Sequence, residues 1–123
     1  MQPFSVAMPL TTKDCMTITP GDLWVAEILF TDGSAAKKRP VLILWLDAQD
    51  VIVAAITSTL PRSETDVILN DWQQSSLRVA SVVRLARLDC LEQSLLIARI
   101  GRVSQTDAQQ LLDVWTSNVK PQF

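Results

Sequence analysis

The 123-residue sequence contains no histidine, which excludes a histidine-based general acid, metal ligand or catalytic triad. Its two cysteines, Cys15 and Cys90, are far apart and in no CxxC spacing, so we expect free thiols in a reducing compartment, with a disulfide as the less favoured alternative. No apolar run is long enough to span a bilayer, and the N-terminal MQPFSVAMPL lacks the regions of a signal peptide. These absences predict a cytoplasmic location.

The composition indicates one folded domain, because 48% of residues are apolar and only 20% are charged. A net charge of -2 has the wrong sign for a protein that coats nucleic acid without specificity. Six of the seven cations in residues 61–123 are arginines, which favour two-pronged contacts with carboxylate or phosphate. A locally positive groove on an acidic protein therefore remains possible.

The chain divides into an N-terminal arm, residues 1–19, and a domain, residues 20–120. The arm is polar and mixed, so we expect it to be loose. A long hairpin loop is predicted over Thr31–Arg39, with its tight point at Asp32-Gly33. The segment LIARIGRV is either a sixth strand or a loop. Residue types and alternation predict five strands: Leu23–Phe30, Pro40–Leu46 (buried on both faces), Val51–Ser58, Asp66–Leu69 and Ala80–Leu88.

A helix is predicted to close the chain. Ser104 is a natural N-cap, and Asp107 lies in the first turn, where the helix dipole favours a negative charge. Strands first and a helix last predict a mainly β, or α+β, fold: a small β-barrel with a C-terminal helix. The helix has one apolar stripe, formed by Ala108, Leu111, Leu112, Trp115 and Val119.

Two basic features could carry chemistry. Three cations, Lys37, Lys38 and Arg39, directly precede the apolar strand PVLILWL. On the fifth strand, alternation places Arg84 and Ala86 on one face, and Arg87 on the other. Solvated surface charges are the simpler interpretation of the three cations before the strand PVLILWL, and Arg84 could be an outward residue or a salt-bridge partner.

Five blocks, PGDLWVAEI, GSAAKKRPVLIL, VIVAAITS, SVVRLARL and IGRVS, occur in the order and rough spacing of the MazF/PemK/Kid family of toxin endoribonucleases. The sequence resembles this family from Pro20 to about Val119. The resemblance implies a compact SH3-like barrel with a C-terminal helix, usually assembled as a homodimer. It also implies a cognate acidic antitoxin as partner, no cofactor and no metal.

The resemblance further implies sequence-specific cleavage of single-stranded RNA through attack of a ribose 2′-hydroxyl on the neighbouring phosphate. The arginine of the family's RPV block matches Arg39, and the threonine of its ITS block matches Thr57; these are the expected catalytic residues. A guanidinium fixed at a strand end would stabilise charge on the phosphate with little reorganisation. The expected RNA-binding residues are Lys37, Lys38, Ser58 and Arg84.

The residues themselves leave simpler roles open. Thr57 and Ser58 could end a strand and satisfy a turn, and Lys37 and Lys38 could be solvated charges. The four tryptophans are expected in the core or an interface more than as stacking platforms for bases.

The sequence also departs from the family. Ala86 occupies the position of an acid that some members use as the base, Asp89 replaces a common arginine, and Ser34 replaces a histidine. Asp89 or Glu92 could act from nearby, but neither is favoured. Three functions therefore remain: an RNA-cleaving toxin, a CcdB-type poison of another target such as DNA gyrase, and a decayed module that binds RNA or antitoxin without cutting. The retained Arg39 and Thr57 favour the first function over the second, and the missing acid at Ala86 is the main argument for the third.

Overall fold

The computed structural model describes residues 17–29 and 36–123. Most of the predicted arm, the predicted turn at Asp32-Gly33, Ser34 and Cys15 lie outside these residues. A short 3-10 turn, Gln93–Leu95, leads into the last strand, so LIARIGRV is a strand and not a loop. The elements are β1 (Asp22–Leu29), β2 (Ala36–Asp47), β3 (Asp50–Thr57), β4 (Asp66–Ile68), β5 (Val82–Glu92), β6 (Leu96–Arg102) and α1 (Gln105–Asn118).

The six strands form one antiparallel sheet in the order β4-β5-β3-β2-β1-β6. This sheet and the C-terminal helix confirm the predicted α+β class. The sheet is not closed into the predicted barrel, because β4 and β6 are its edges and do not pair in the described ranges. The turn that follows β4 passes close to β6. It comes so near that a Cβ on Gly101 would overlap the Ser75 carbonyl oxygen.

The three cations before the apolar run lie on β2, not in the predicted loop. Lys37, Lys38 and Arg39 pair with Ile28, Glu27 and Ala26 of β1. The prediction was wrong because β2 begins at Ala36 and not at Pro40, so that these residues form a ladder with the second half of β1. The prediction that Pro40–Leu46 is buried on both faces was also too broad. Residues 41–43 are buried, whereas residues 45 and 46 are exposed.

The core lies on both faces of the sheet. One apolar cluster packs between the sheet and α1, and the other covers the face away from α1. Among the described residues, the second cluster has no member in the first part of β2, residues 36–40. The buried residues are Leu23, Leu42, Ala54, Ile56, Val67, Leu69, Val83, Leu85, Val103 and Leu111 in the first cluster, and Trp24, Ala26, Val41, Ile43, Val51, Val53, Leu91 and Leu96 in the second.

The start of α1 fixes the turn that follows β4. The Ser104 hydroxyl accepts a hydrogen bond from the Asp107 backbone N–H at 3.1 Å, which confirms the predicted N-cap. The fully buried Asp107 carboxylate accepts the backbone N–H groups of Asn70 and Asp71 at 3.0 and 2.9 Å. No helix within 17–29 and 36–123 is long and apolar enough to cross a membrane.

Candidate functional site

A cleft of about 530 Å³ crosses β2, β3 and β5 on the sheet face away from α1. It holds four cationic side chains, those of Lys37, Arg39, Arg84 and Arg87, and one carboxylate, that of Asp89. Arginine remains charged at any relevant pH, so the surface is persistently positive although the protein is acidic. We call it the cationic cleft. The rest of its lining is Ile28, Pro40, Val41, Val53, Ala55, Ile56, Thr57 and Leu88.

Arg39 and Thr57 line the same cleft. The ladder between β2 and β3 begins at the pair of Val41 and Ala55. Arg39 precedes Val41 by two residues and Thr57 follows Ala55 by two, so alternation places both side chains on the face of that pair. The two residues expected to be catalytic therefore share one face and the cationic cleft.

Thr57 has a turn role as well as a place in the cleft. Its Oγ1 accepts the backbone N–H of Thr59 at 3.1 Å and donates to the Thr59 hydroxyl, also at 3.1 Å. These bonds form the turn that the sequence left open as the simpler role. The bond between the two hydroxyls is exposed, so it can be exchanged for a bond to a ligand oxygen.

Arg84 contacts a carboxylate on the neighbouring strand β4. It pairs with Ala55 on one side and with Asp66 of β4 on the other. The Arg84 Nε lies 3.5 Å from the Asp66 Oδ1, with the Asp66 side chain 2% exposed and the Arg84 side chain 24% exposed. The Asp66 Oδ2 accepts the backbone N–H of Arg62 at 2.9 Å. Sequence reasoning did not identify Asp66, because its pairing across two strands has no local signal.

A bulge in β5 brings Arg87 into the cleft. Ala54 pairs with Leu88 but Ala55 pairs with Arg84, so β5 carries three additional residues between the two pairs. Strict alternation put Arg84 and Arg87 on opposite faces, and that prediction was wrong because the bulge breaks the two-residue period. Both line the cleft, whereas Ala86, where the family acid is expected, is exposed and does not.

Asp89 is the only carboxylate among the described residues that line the cleft, but it is not beside Thr57. It pairs with Val53, four residues before Thr57 on β3. At about 3.3 Å per residue, that places Asp89 about 13 Å along the strand from Thr57. Glu92 pairs with Asp50 and lies outside the lining. Neither acid is positioned next to the Arg39–Thr57 pair.

Two predicted RNA-binding residues fall outside the cleft. Lys38 lies on the opposite face of β2 from its two cationic neighbours and is paired with Glu27 of β1. Ser58 is exposed just after β3 and does not line the cleft. Four of the six predicted site residues therefore line the cleft: Lys37, Arg39, Thr57 and Arg84. Lys38 and Ser58 do not line it.

A second groove, of about 600 Å³, lies on the α1 side of the sheet and is mainly apolar. Trp45 and Trp115 meet there edge to face, with ring centroids 5.8 Å apart and planes at 78°. Trp24 is fully buried, and none of the four tryptophans lines the cationic cleft. Cys90 is an exposed free thiol. Within the part of the chain that the structure describes, no cluster of His, Cys, Asp or Glu could hold a metal ion.

Similar structures have the same fold. An endoribonuclease from a mycobacterial species superposes with a TM-score of 0.65 at 16% identity, covering 85% of this chain and 92% of its own. An endoribonuclease in complex with its cognate antitoxin, also mycobacterial, gives a TM-score of 0.65 at 19% identity over 85% and 98%. The Mycobacterium tuberculosis toxin MazF-mt6 gives 0.61 at 26% identity over 76% and 90%.

The family assignment comes from the sequence itself. No curated protein matches the chain. The profile of the family described as "PemK-like, MazF-like toxin of type II toxin-antitoxin system" matches residues 19–116, which is most of the chain and includes every residue of the described cleft. The chain therefore belongs to the PemK-like, MazF-like toxins of type II toxin–antitoxin systems.

Proposed function

We propose that this toxin is a metal-independent endoribonuclease that cleaves single-stranded RNA at short sequence motifs. The observation that carries the proposal is that Arg39 and Thr57 line one cleft together with three further cations. Similar structures that are named endoribonucleases support it. A gyrase poison would not require that pair, so the cleft favours RNA cleavage over a CcdB-type activity.

In the proposed reaction the ribose 2′-oxygen forms a bond to the adjacent phosphorus while the bond from phosphorus to the 5′-oxygen breaks. The products are a 2′,3′-cyclic phosphate and a 5′-hydroxyl, which gains a proton as the 2′-hydroxyl loses one. Negative charge develops on the two non-bridging oxygens. The Arg39 guanidinium stabilises that charge, and removal of one such donor typically costs on the order of 10²–10³ in rate. The Thr57 hydroxyl donates to the same phosphate or orients the 2′-hydroxyl.

The remaining cations position the strand. Lys37, Arg84 and Arg87 line the same cleft as Arg39 and Thr57 and bind flanking phosphates. Lys38 and Ser58, outside the lining, contribute at the margin: the lysine through the local positive field and the serine through a hydrogen bond to the backbone of RNA leaving the cleft.

The direct test is to incubate the purified protein with single-stranded RNA in EDTA and to map the new ends. We expect cuts at discrete motifs, with 5′-hydroxyl and 2′,3′-cyclic phosphate ends, and no requirement for a divalent cation. Intact RNA, or 5′-phosphate ends that appear only with added metal, would contradict the proposal.

One observation favours binding without cleavage. Ala86 supplies no acid, and Asp89 lies about 13 Å along the strand from Thr57. A decayed module would bind single-stranded RNA or antitoxin in the cleft and leave the RNA intact at every pH. The EDTA experiment therefore needs a binding measurement on the same RNA. If the RNA stays intact, this measurement distinguishes a protein that binds RNA without cleaving it from one that does not bind RNA.

The proposed partner is a cognate acidic antitoxin in the cytoplasm. One similar structure, an endoribonuclease in complex with its cognate antitoxin, supports an antitoxin partner. Asp and Glu of a flexible antitoxin segment would oppose the cleft cations, and competition between that segment and RNA would test the shared site. We also propose a homodimer. The half-exposed Trp45 and the exposed Leu112 beside the apolar groove give it an apolar surface. A monomer at micromolar concentration by light scattering would contradict it.

A further inference from the structure

The Asp66 carboxylate is a buried charge that the proposed reaction does not use. Its side chain is 2% exposed, yet among the described residues it has one hydrogen bond, from the Arg62 backbone, and one ionic contact, with Arg84. The contact to Arg84 does not meet hydrogen-bond geometry, and within 17–29 and 36–123 neither the Asp66 Oδ1 nor the Arg84 Nε has another partner. Burial of a carboxylate with so few partners is costly, so stability alone is a weak reason for its presence.

The position of Asp66 connects it to the cleft. Asp66 and Arg84 are cross-strand partners, and the pair continues the line of Ala55 and Val41 across the sheet. Ala55, the partner of Arg84 on β3, precedes Thr57 by two residues, which is roughly 7 Å along the strand. A carboxylate that engages the Nε of an arginine leaves the Nη groups for another anion, and Arg84 lines the cleft.

We propose that Asp66 is a positioning residue: it holds the Arg84 guanidinium by its Nε and thereby presents the Nη groups to RNA phosphate. This rests on the proposed function of the cleft. The same carboxylate ties Arg84 to the segment that follows Thr57, because its other oxygen holds the Arg62 backbone. A one-ångström displacement of a positioning group can reduce a rate by up to about 10²-fold, so a fixed guanidinium matters more than a mobile one.

Asp66→Asn isolates this role. Asparagine keeps the shape and an oxygen for the Arg62 N–H but removes the charge that faces Arg84. Electrostatics alone predicts tighter RNA binding, because a negative charge near the cleft is lost. The positioning role predicts the opposite for chemistry: a cleavage rate lower by about tenfold or more. Glu64→Gln is the matched control, since it removes an exposed charge from the same loop and keeps the oxygen that accepts from Asn118.

The deciding experiment is a double-mutant cycle on single-turnover cleavage with Asp66→Asn, Arg84→Gln and their combination, with thermal unfolding of each variant. We expect Asp66→Asn to lower the cleavage rate in the wild-type background but to cause no further loss of rate in the Arg84→Gln background. Equal losses in both backgrounds, or a lower melting temperature with an unchanged rate, would overturn the proposal. If Asp66→Asn does not fold, Asp66→Glu, which keeps the charge and displaces it, enters the same cycle with the same criteria. A wild type that does not cleave RNA overturns the proposed function and this proposal with it, whereas a cleaving wild type with an additive cycle overturns only the role of Asp66.

Discussion

Arg84 lies directly opposite Ala55 on the neighbouring strand, although the next pair along is displaced by three residues. This bulge shapes the cationic cleft. It keeps Arg84 in line with the end of β3, brings Arg87 to the same face and leaves Ala86 exposed. The three additional residues of β5 therefore place Arg87 in the cleft, whereas strict alternation would have placed it on the opposite face.

Thr57 should be needed for cleavage through its hydroxyl and not through its turn. We expect Thr57→Val to lower the cleavage rate by on the order of 10²-fold, because one donor to the phosphate is lost, and Thr57→Ser to retain most of the activity. Thr59→Val is the control: it removes the hydroxyl partner of Thr57 in the turn but does not touch the cleft lining. Equal losses in the Thr57→Val and Thr59→Val variants would mean that the turn, not the hydroxyl, matters.

Cations on the two faces of β2 should contribute unequally to RNA binding. Each phosphate contact to a single strand adds about 0.7 to the slope of log affinity against log salt. Lys37→Ala and Arg87→Ala should each reduce the slope by about that amount, measured with RNA that carries a 2′-deoxy nucleotide at the cut site. Lys38→Ala should reduce it less, because Lys38 faces away from the cleft. A larger effect at Lys38 than at Lys37 would contradict the assigned surface.

Asp89 should not be the general base. Its distance along the strand from Thr57 predicts that Asp89→Asn still cleaves RNA at a rate comparable with the wild type. Loss of a negative charge from the cleft wall should also tighten binding. The measurement is the cleavage rate across pH for both proteins. If Asp89→Asn slowed cleavage and removed the acid limb of the profile, Asp89 would be the proton acceptor.

Asp107 should matter for stability and not for chemistry. Asp107→Ala removes the buried acceptor of the partly buried Asn70 and Asp71 backbone N–H groups, and the loss of both hydrogen bonds should cost on the order of 2 kcal/mol of unfolding free energy. Denaturant unfolding measures this loss. Asp113→Ala, on the exposed side of the same helix, should have a much smaller effect. Similar losses for both would mean that the buried contacts do not anchor the turn.

Local signals predicted much of this fold. The N-cap at Ser104 and the helix after it are correct because capping and an apolar stripe are both encoded within one segment. The expected Arg39 and Thr57 also share a cleft, since β2 and β3 pair and alternation places both residues on one face.

The errors lie where distant residues decide the structure. The start of β2 depends on pairing with the end of β1, and charged residues such as Lys37 and Lys38 gave no sign of that pairing. The bulge depends on how β5 fits β3, so alternation could not place Arg87. Asp66 acquires its contact with Arg84 only because β4 and β5 are adjacent. In each case the residues of the partner strand determine the structure, and the local sequence does not show which strand that partner is.

The most direct test of the account compares Arg39→Ala with Arg78→Ala in RNA cleavage, with 5′ ends mapped and thermal unfolding as a check on folding. Arg78 is exposed and outside the cleft, so its variant makes the same chemical change elsewhere on the surface. We predict that Arg39→Ala loses cleavage by on the order of 10²–10³-fold while its fold is kept, and that Arg78→Ala cleaves like the wild type at the same sites. A folded Arg39→Ala protein that cuts RNA as fast as the wild type would contradict the account.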